Sequence, residues 1–203
     1  MTDQTIQSVR ARRVWDSRGH PTVQVQVTLA GGANGLAIAP AGASRGSREA
    51  TDLRDGGEHL GGLDVSKAVA AVNSTIAPAL IGLDAGDQTK VDQVLIDLDG
   101  TATKSRLGGN AMVASSLATL HAAAAANGLA LFEYLSRASG TKPVLPLPEI
   151  QIFGGGAHAG RRVDVQDFMV MVPGAESFEH ALEITASIYQ AAGRRMADQG
   201  KLA

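Results

Sequence analysis

Cysteine is absent from the 203 residues. That excludes disulfides, thiolate metal ligands and a cysteine nucleophile, and with them the disulfide-stapled secreted scaffold. Aromatic residues are only 3% of the chain, too few for the stacking platforms that bind single-stranded nucleic acid. Neither sign of charge dominates. Lys and Arg number 18 against 20 Asp and Glu, for a net charge of −2, without the basic stripe of a nucleic-acid-binding domain. No apolar run reaches the length of a membrane span. The start, Met1-Thr2-Asp3-Gln4-Thr5, has neither the basic n-region nor the apolar h-region of a signal peptide. The cytoplasm is therefore the expected compartment, with no membrane and no nucleic acid as partner.

Glycine is plentiful, at 24 residues, and the apolar fraction of 44% is that of an ordinary globular protein. Ser8 to Trp15 reads as a strand. Val23, Val25, Val27 and Leu29 alternate with Thr22, Gln24, Gln26 and Thr28, the period of a half-buried strand. Gly31-Gly32-Ala33-Asn34-Gly35 reads as a hairpin turn and Leu36 to Ala39 as the returning strand. Val65, Ala68, Val69, Val72 and Ile76 then recur at helical spacing up to Pro78, which ends or kinks that helix. Asp87 caps a second helix. Asn110 caps a third, which stops at Asn127-Gly128, and Leu131 to Ala138 forms a fourth. Composition breaks at Ser139-Gly140-Thr141-Lys142-Pro143. Beyond it, Val144 to Phe153 and Val163 to Val172 read as strands, the first made irregular by Pro146 and Pro148. Phe178, Ala181, Leu182, Thr185, Ile188 and Ala192 trace one face of a helix.

Two loops stand out. Ala39-Pro40-Ala41-Gly42-Ala43-Ser44-Arg45-Gly46 is a run of small residues with one hydroxyl, able to bend closely over a ligand. Read alone, it is a small-residue turn whose serine bonds the backbone. Gly154-Gly155-Gly156-Ala157-His158-Ala159-Gly160 holds a lone histidine, which by itself reads as a solvated loop group. Arg12-Arg13 and Arg194-Arg195 read as solvated faces. Asp52, Asp55 and Glu58 lack the spacing of a metal site, and Asp97 and Asp99 read as turn or cap residues.

The segments Asp16-Ser17-Arg18-Gly19-x-Pro21-Thr22-Val23, Pro40-x-Gly42-Ala43-Ser44-x-Gly46 and Glu49-Ala50-x-x-Leu53-Arg54-Asp55 carry a resemblance. So do Leu98-Asp99-Gly100-Thr101, Lys104-Ser105, Gly155-x-x-His158-Ala159 and Gln166-x-Phe168-Met169. In this order and spacing they resemble the enolase (phosphopyruvate hydratase) family along nearly the whole chain. The fold implied is an α+β N-terminal domain over residues 1–139, a three-stranded antiparallel meander plus four helices. Residues 140–203 would be the start of an enolase-type β/α barrel, incomplete in this chain, since a full barrel takes about 250 residues.

The resemblance implies a magnesium-dependent, reversible dehydration of 2-phosphoglycerate to phosphoenolpyruvate. Ser44 would ligate a second Mg2+ as its loop closes, and His158, Gln166 and Asp167 would contact substrate. The proton-transfer pair and most metal ligands would lie in later barrel strands, outside these 203 residues. Enolases are commonly dimers, so a homodimer or higher homo-oligomer is implied. The chain departs from the family pattern at His20, at Ala41 in place of a common serine, in the run Glu149 to Gly155 (Gln151 and Phe153 among its residues), and at Asp167 in place of glutamate. Aspartate is one methylene shorter, which withdraws the carboxylate by about 1.5 Å. Two alternatives stay open: a lyase of this kind acting on a different acid, and a non-catalytic binding or assembly module.

Overall fold

The computed structural model describes residues 2–39, 41–42 and 46–201, and within them every side chain except that of His158. The chain divides into two units, Met1–Lys142 and Pro143–Ala203. Among the described residues no helix is long and apolar enough to cross a membrane.

In the first unit, β1 (Ile6–Trp15), β2 (Pro21–Leu29) and β3 (Asn34–Ala39) form an antiparallel sheet in the order β1-β2-β3. The alternation in β2 holds, with Val23, Val25, Val27 and Leu29 fully buried. As the central strand, β2 also has covered polar positions: Thr22 and Gln24 are buried, Thr22 donating to the Ala39 carbonyl at 2.7 Å. The hairpin after β2 is shorter than the sequence implies. It closes where the Leu29 N–H meets the Ala33 carbonyl at 2.9 Å, so Gly35 lies inside β3. There it faces the helix over Gly109–Ala126, and a Cβ would collide with the backbone of Ala118 and Ala122. Glycine serves close packing at this position, not turning.

Residues 66–80 make one rod: α1 (Ser66–Ala71), a wider π turn (Val72–Ile76) and α2 (Ala77–Leu80). Pro78 does not end it. Proline has no N–H to give the preceding turn, and the rod widens just before it. Asn73, in that π turn, accepts from the Ala11 N–H at 2.8 Å and donates to the Ala11 carbonyl at 3.1 Å, covering part of the free edge of β1. Next come α3 (Gln88–Asp99), capped by Asp87 as expected, α4 (Gly109–Ala126) and α5 (Leu131–Ser139). The core joins the valines of β2 to Val72, Ile76 and Leu80 and to the alanines of α4.

In the second unit, β4 (Glu149–Gly154) and β5 (Asp167–Met171) pair antiparallel, and α6 (Phe178–Asp198) follows, capped by Ser177. Both strands are shorter than expected. Pro146 and Pro148 cannot donate to a ladder, so β4 starts after them. Val163 and Gln166 spend their carbonyls on the N–H groups of Gly156 and Gly155, at 2.7 and 2.6 Å. That draws 163–166 into the loop and leaves β5 to begin at Asp167. Phe153, Phe168, Met169 and Met171 are 40 to 50% exposed, a hairpin whose apolar side chains lack cover.

Candidate functional site

The first small-residue loop leaves β3 at Ala39. Ser44, with Pro40, Ala43 and Arg45, lies outside the described residues; the base of the loop is held from the turn before β2. In the turn between β1 and β2 the Asp16 carboxylate accepts the N–H groups of Arg18 and His20, both at 2.8 Å. These bonds, that of His20 foremost, hold its carboxyl below the usual aspartate range. Asp16 also pairs with the Arg18 guanidinium at 3.1 Å, and Arg18 donates to the Ala41 carbonyl at 2.5 Å. A sequence read as a tight polar turn is thus a bracket on the loop that carries Ser44.

Arg54 is a second bracket. It pairs with Asp52 at 2.6 Å and donates to the carbonyls of Pro21 (2.5 Å) and Leu63 (2.7 Å). Between loop and helix lies an open cleft of about 470 Å³, flanked by Ile38, Ala41, Glu49, Asp52 and Asn110. The second Asp52 oxygen is buried with no hydrogen-bond partner among the described residues. Arg18 and Arg54 both sit inside segments that carry the resemblance, but spacing gave neither a role, because each acts on backbone carbonyls far along the chain.

Asn110 does not cap α4. Gly108 takes the cap position, and the buried Asn110 side chain instead bonds both backbone groups of Leu53. Arg13 is exposed, as the sequence implies, but it is not unpartnered. Its guanidinium meets the nearly buried Asp64 at 2.7 Å and stands 5.6 Å from the Trp15 ring centre. That bond from Arg13, outweighing burial, holds the Asp64 carboxyl below its ordinary range. Asp99 is a turn residue as expected, and a buried one. Asp55 accepts from the N–H groups of Ser66 and Lys67 at 3.0 and 2.9 Å, anchoring the start of α1.

In the second unit the glycine-rich loop folds tightly. His158 lies on a short 3-10 turn (Gly156–Ala159), and its side chain is outside the described residues. A Cβ at Gly155 would strike the Val165 carbonyl, and one at Gly156 would stand 3.5 Å from the Gln166 side chain. The backbone of the His158 turn is thereby brought against Gln166. Asp167, opening β5 opposite Gly154, is half-buried, and its Oδ1 accepts from Gln151 Nε2 at 2.5 Å. Arg161 and Arg162 are exposed, as expected of loop arginines. One end of the hairpin therefore gathers Gln166, Asp167 and the His158 turn. Ser44 belongs to the first unit.

Among the described residues, no group of three or more His, Cys, Asp or Glu side chains is placed to hold a metal ion. A single hydroxyl is not a magnesium site, because Mg2+ takes a near-octahedral shell of oxygens. Ser44 could contribute at most one of them.

Comparison with known proteins places these elements. The family model for the enolase N-terminal domain matches residues 6–135, and that for the enolase C-terminal TIM barrel domain matches residues 142–202. Proteins named Enolase from Campylobacter jejuni subsp. jejuni, of serotypes O:23/36 (strain 81-176) and O:6 (strain 81116 / NCTC 11828), are each 50% identical over 195 residues. The match takes in 96% of this chain and 47% of each relative, so the chain spans about half the length of the curated relatives it matches. The meander with its helices matches the first domain and the β4–β5–α6 segment the opening of the second: the chain belongs to the enolase family.

Proposed function

We propose that the protein carrying this chain is a hydro-lyase that interconverts 2-phosphoglycerate and phosphoenolpyruvate. The observation that carries this reading is the match to relatives named Enolase over 96% of the chain, through both units. The hairpin end that presents Gln166 and Asp167 beside the His158 turn supports it. Residues 1–139 act as the N-terminal domain and supply Ser44 as one Mg2+ ligand. Residues 140–203 open the barrel and supply His158, Gln166 and Asp167 to the substrate. The general acid, the general base and most of the metal ligands come from outside these residues.

Removing the proton beside the substrate carboxylate builds a dianion, and magnesium, when bound, supplies the charge that stabilises it. This chain's own part is positioning. Arg18 holds the base of the Ser44 loop, and the tight 155–167 loop fixes the rim where the anionic substrate sits. A homodimer or larger homo-oligomer in the cytoplasm, serving glycolysis, completes the reading. The test is the ultraviolet absorbance of phosphoenolpyruvate, followed with full-length protein with and without magnesium. Folded protein that gives no turnover overturns it.

A second reading, the same chemistry on a different acid, is favoured by one observation: the shortened Asp167 is already engaged by Gln151. Under it, Ala41→Ser with Asp167→Glu fails to give brisk turnover of 2-phosphoglycerate. Brisk turnover by that double variant would reject it.

A further inference from the structure

Two of this chain's departures from the family pattern, Gln151 and Asp167, touch each other. They are not ladder partners. The register shifts between Gln151 and Phe153, Gly154 pairs with Asp167, and Gln151 pairs with Met169. The Gln151 side chain nonetheless reaches along the strand to Asp167 Oδ1 at 2.5 Å. A carboxylate offers only acceptors, so the amide must turn its NH2 end toward it. Gly154 leaves the lane open: a Cβ there would stand 3.1 Å from Gln151 Nε2, tighter than an ordinary contact. An aspartate at the head of a strand, with its side chain half in solvent, otherwise samples several rotamers. A charge-assisted bond from an amide narrows them to one.

We propose that Gln151 is a positioning residue that fixes the rotamer, and so the reach, of the Asp167 carboxylate. Its place in catalysis rests on the reading that Asp167 contacts substrate. The contact itself does not.

Two measurements test it. In isotope-labelled chain, the Gln151 side-chain amide resonances, identified by their loss in Gln151→Leu, should shift when Asp167→Ala removes the acceptor. Unmoved resonances overturn the pair whether or not the protein turns over 2-phosphoglycerate. In full-length protein, Gln151→Leu should lower kcat about tenfold while KM changes less than about threefold, and it should cost nothing further in an Asp167→Ala background. Gln151→Asn should lose as much as the leucine. Gln151→Asn combined with Asp167→Glu, which moves one methylene across the bond, should recover most of the rate. Additive losses, or no recovery, overturn the positioning role. No turnover by the unaltered protein overturns the reaction assigned above, while the amide resonances still decide the pair.

Discussion

Asn110 clasps the backbone of Leu53 from both sides, accepting its N–H at 3.2 Å and donating to its carbonyl at 3.1 Å. A side-chain amide here does the work of a neighbouring strand, tying the segment after the Ser44 loop to the first turn of α4. Asn110 is buried, so removing it strands two polar groups. Asn110→Ala should cost about 2 kcal/mol, read from urea unfolding followed by circular dichroism. Asn110→Asp keeps the acceptor and loses the donor, and should also destabilise.

Gly35 and Gly32 lie three residues apart and should behave oppositely. At Gly35 a Cβ would enter the backbone of α4, which no side-chain rearrangement relieves. Gly35→Ala should cost about 3 kcal/mol or more. Gly32 has φ +89° and open space around it, so Gly32→Ala bears only backbone strain, on the order of 1 kcal/mol. Thermal midpoints of the two variants give the comparison.

Asp99 should shape the acid limb of stability. Burial alone would raise its pKa. The Thr101 hydroxyl and the N–H groups of Leu107, Thr101 and Arg106 outweigh that and hold it below the ordinary value. A lowered native pKa stabilises the fold fully above the unfolded value of about 3.9, and the contribution is lost as pH falls through the lower native value. Asp99→Asn should therefore be less stable than wild type at pH 7, with the gap closing as pH drops below about 4. Unfolding curves across that range test it.

Ser44→Ala in the full-length protein should raise the magnesium concentration needed for half-maximal turnover by about tenfold, since one oxygen donor is lost. Unchanged metal dependence would remove Ser44 from the ligand set proposed for it.

Arg18→Ala should loosen the base of that same loop. The guanidinium is partly exposed, and its bond to the Ala41 carbonyl orders a loop more than it stabilises a core. The fold should lose less than about 1 kcal/mol. Turnover should fall about tenfold or more, because misplacement of a contacting group is costly in rate. Parallel stability and rate measurements separate the two.

Periodicity made the meander legible because apolar and polar side chains alternate along β2. It also gave the helices, whose apolar stripes repeat at local spacing. Strand ends depart from the pattern where a carbonyl is taken by a residue in another segment, as at Val163 and Gln166. Asn110 looked like a cap because caps are the commonest local use of asparagine, and the Leu53 backbone it serves lies 57 residues away. Arg13 is solvated as its sequence suggests, but nothing near it in sequence announces its partner Asp64, 51 residues away.

Order and type of the elements, and the family, are legible in the residues alone, since these follow from spacing and from motifs a few residues long. Which polar groups meet emerges from the folded chain: Arg18 with Ala41, Arg54 with Pro21 and Leu63, Gln151 with Asp167. A hydrogen bond needs its partners about 3 Å apart in space, and separation along the chain does not report that distance.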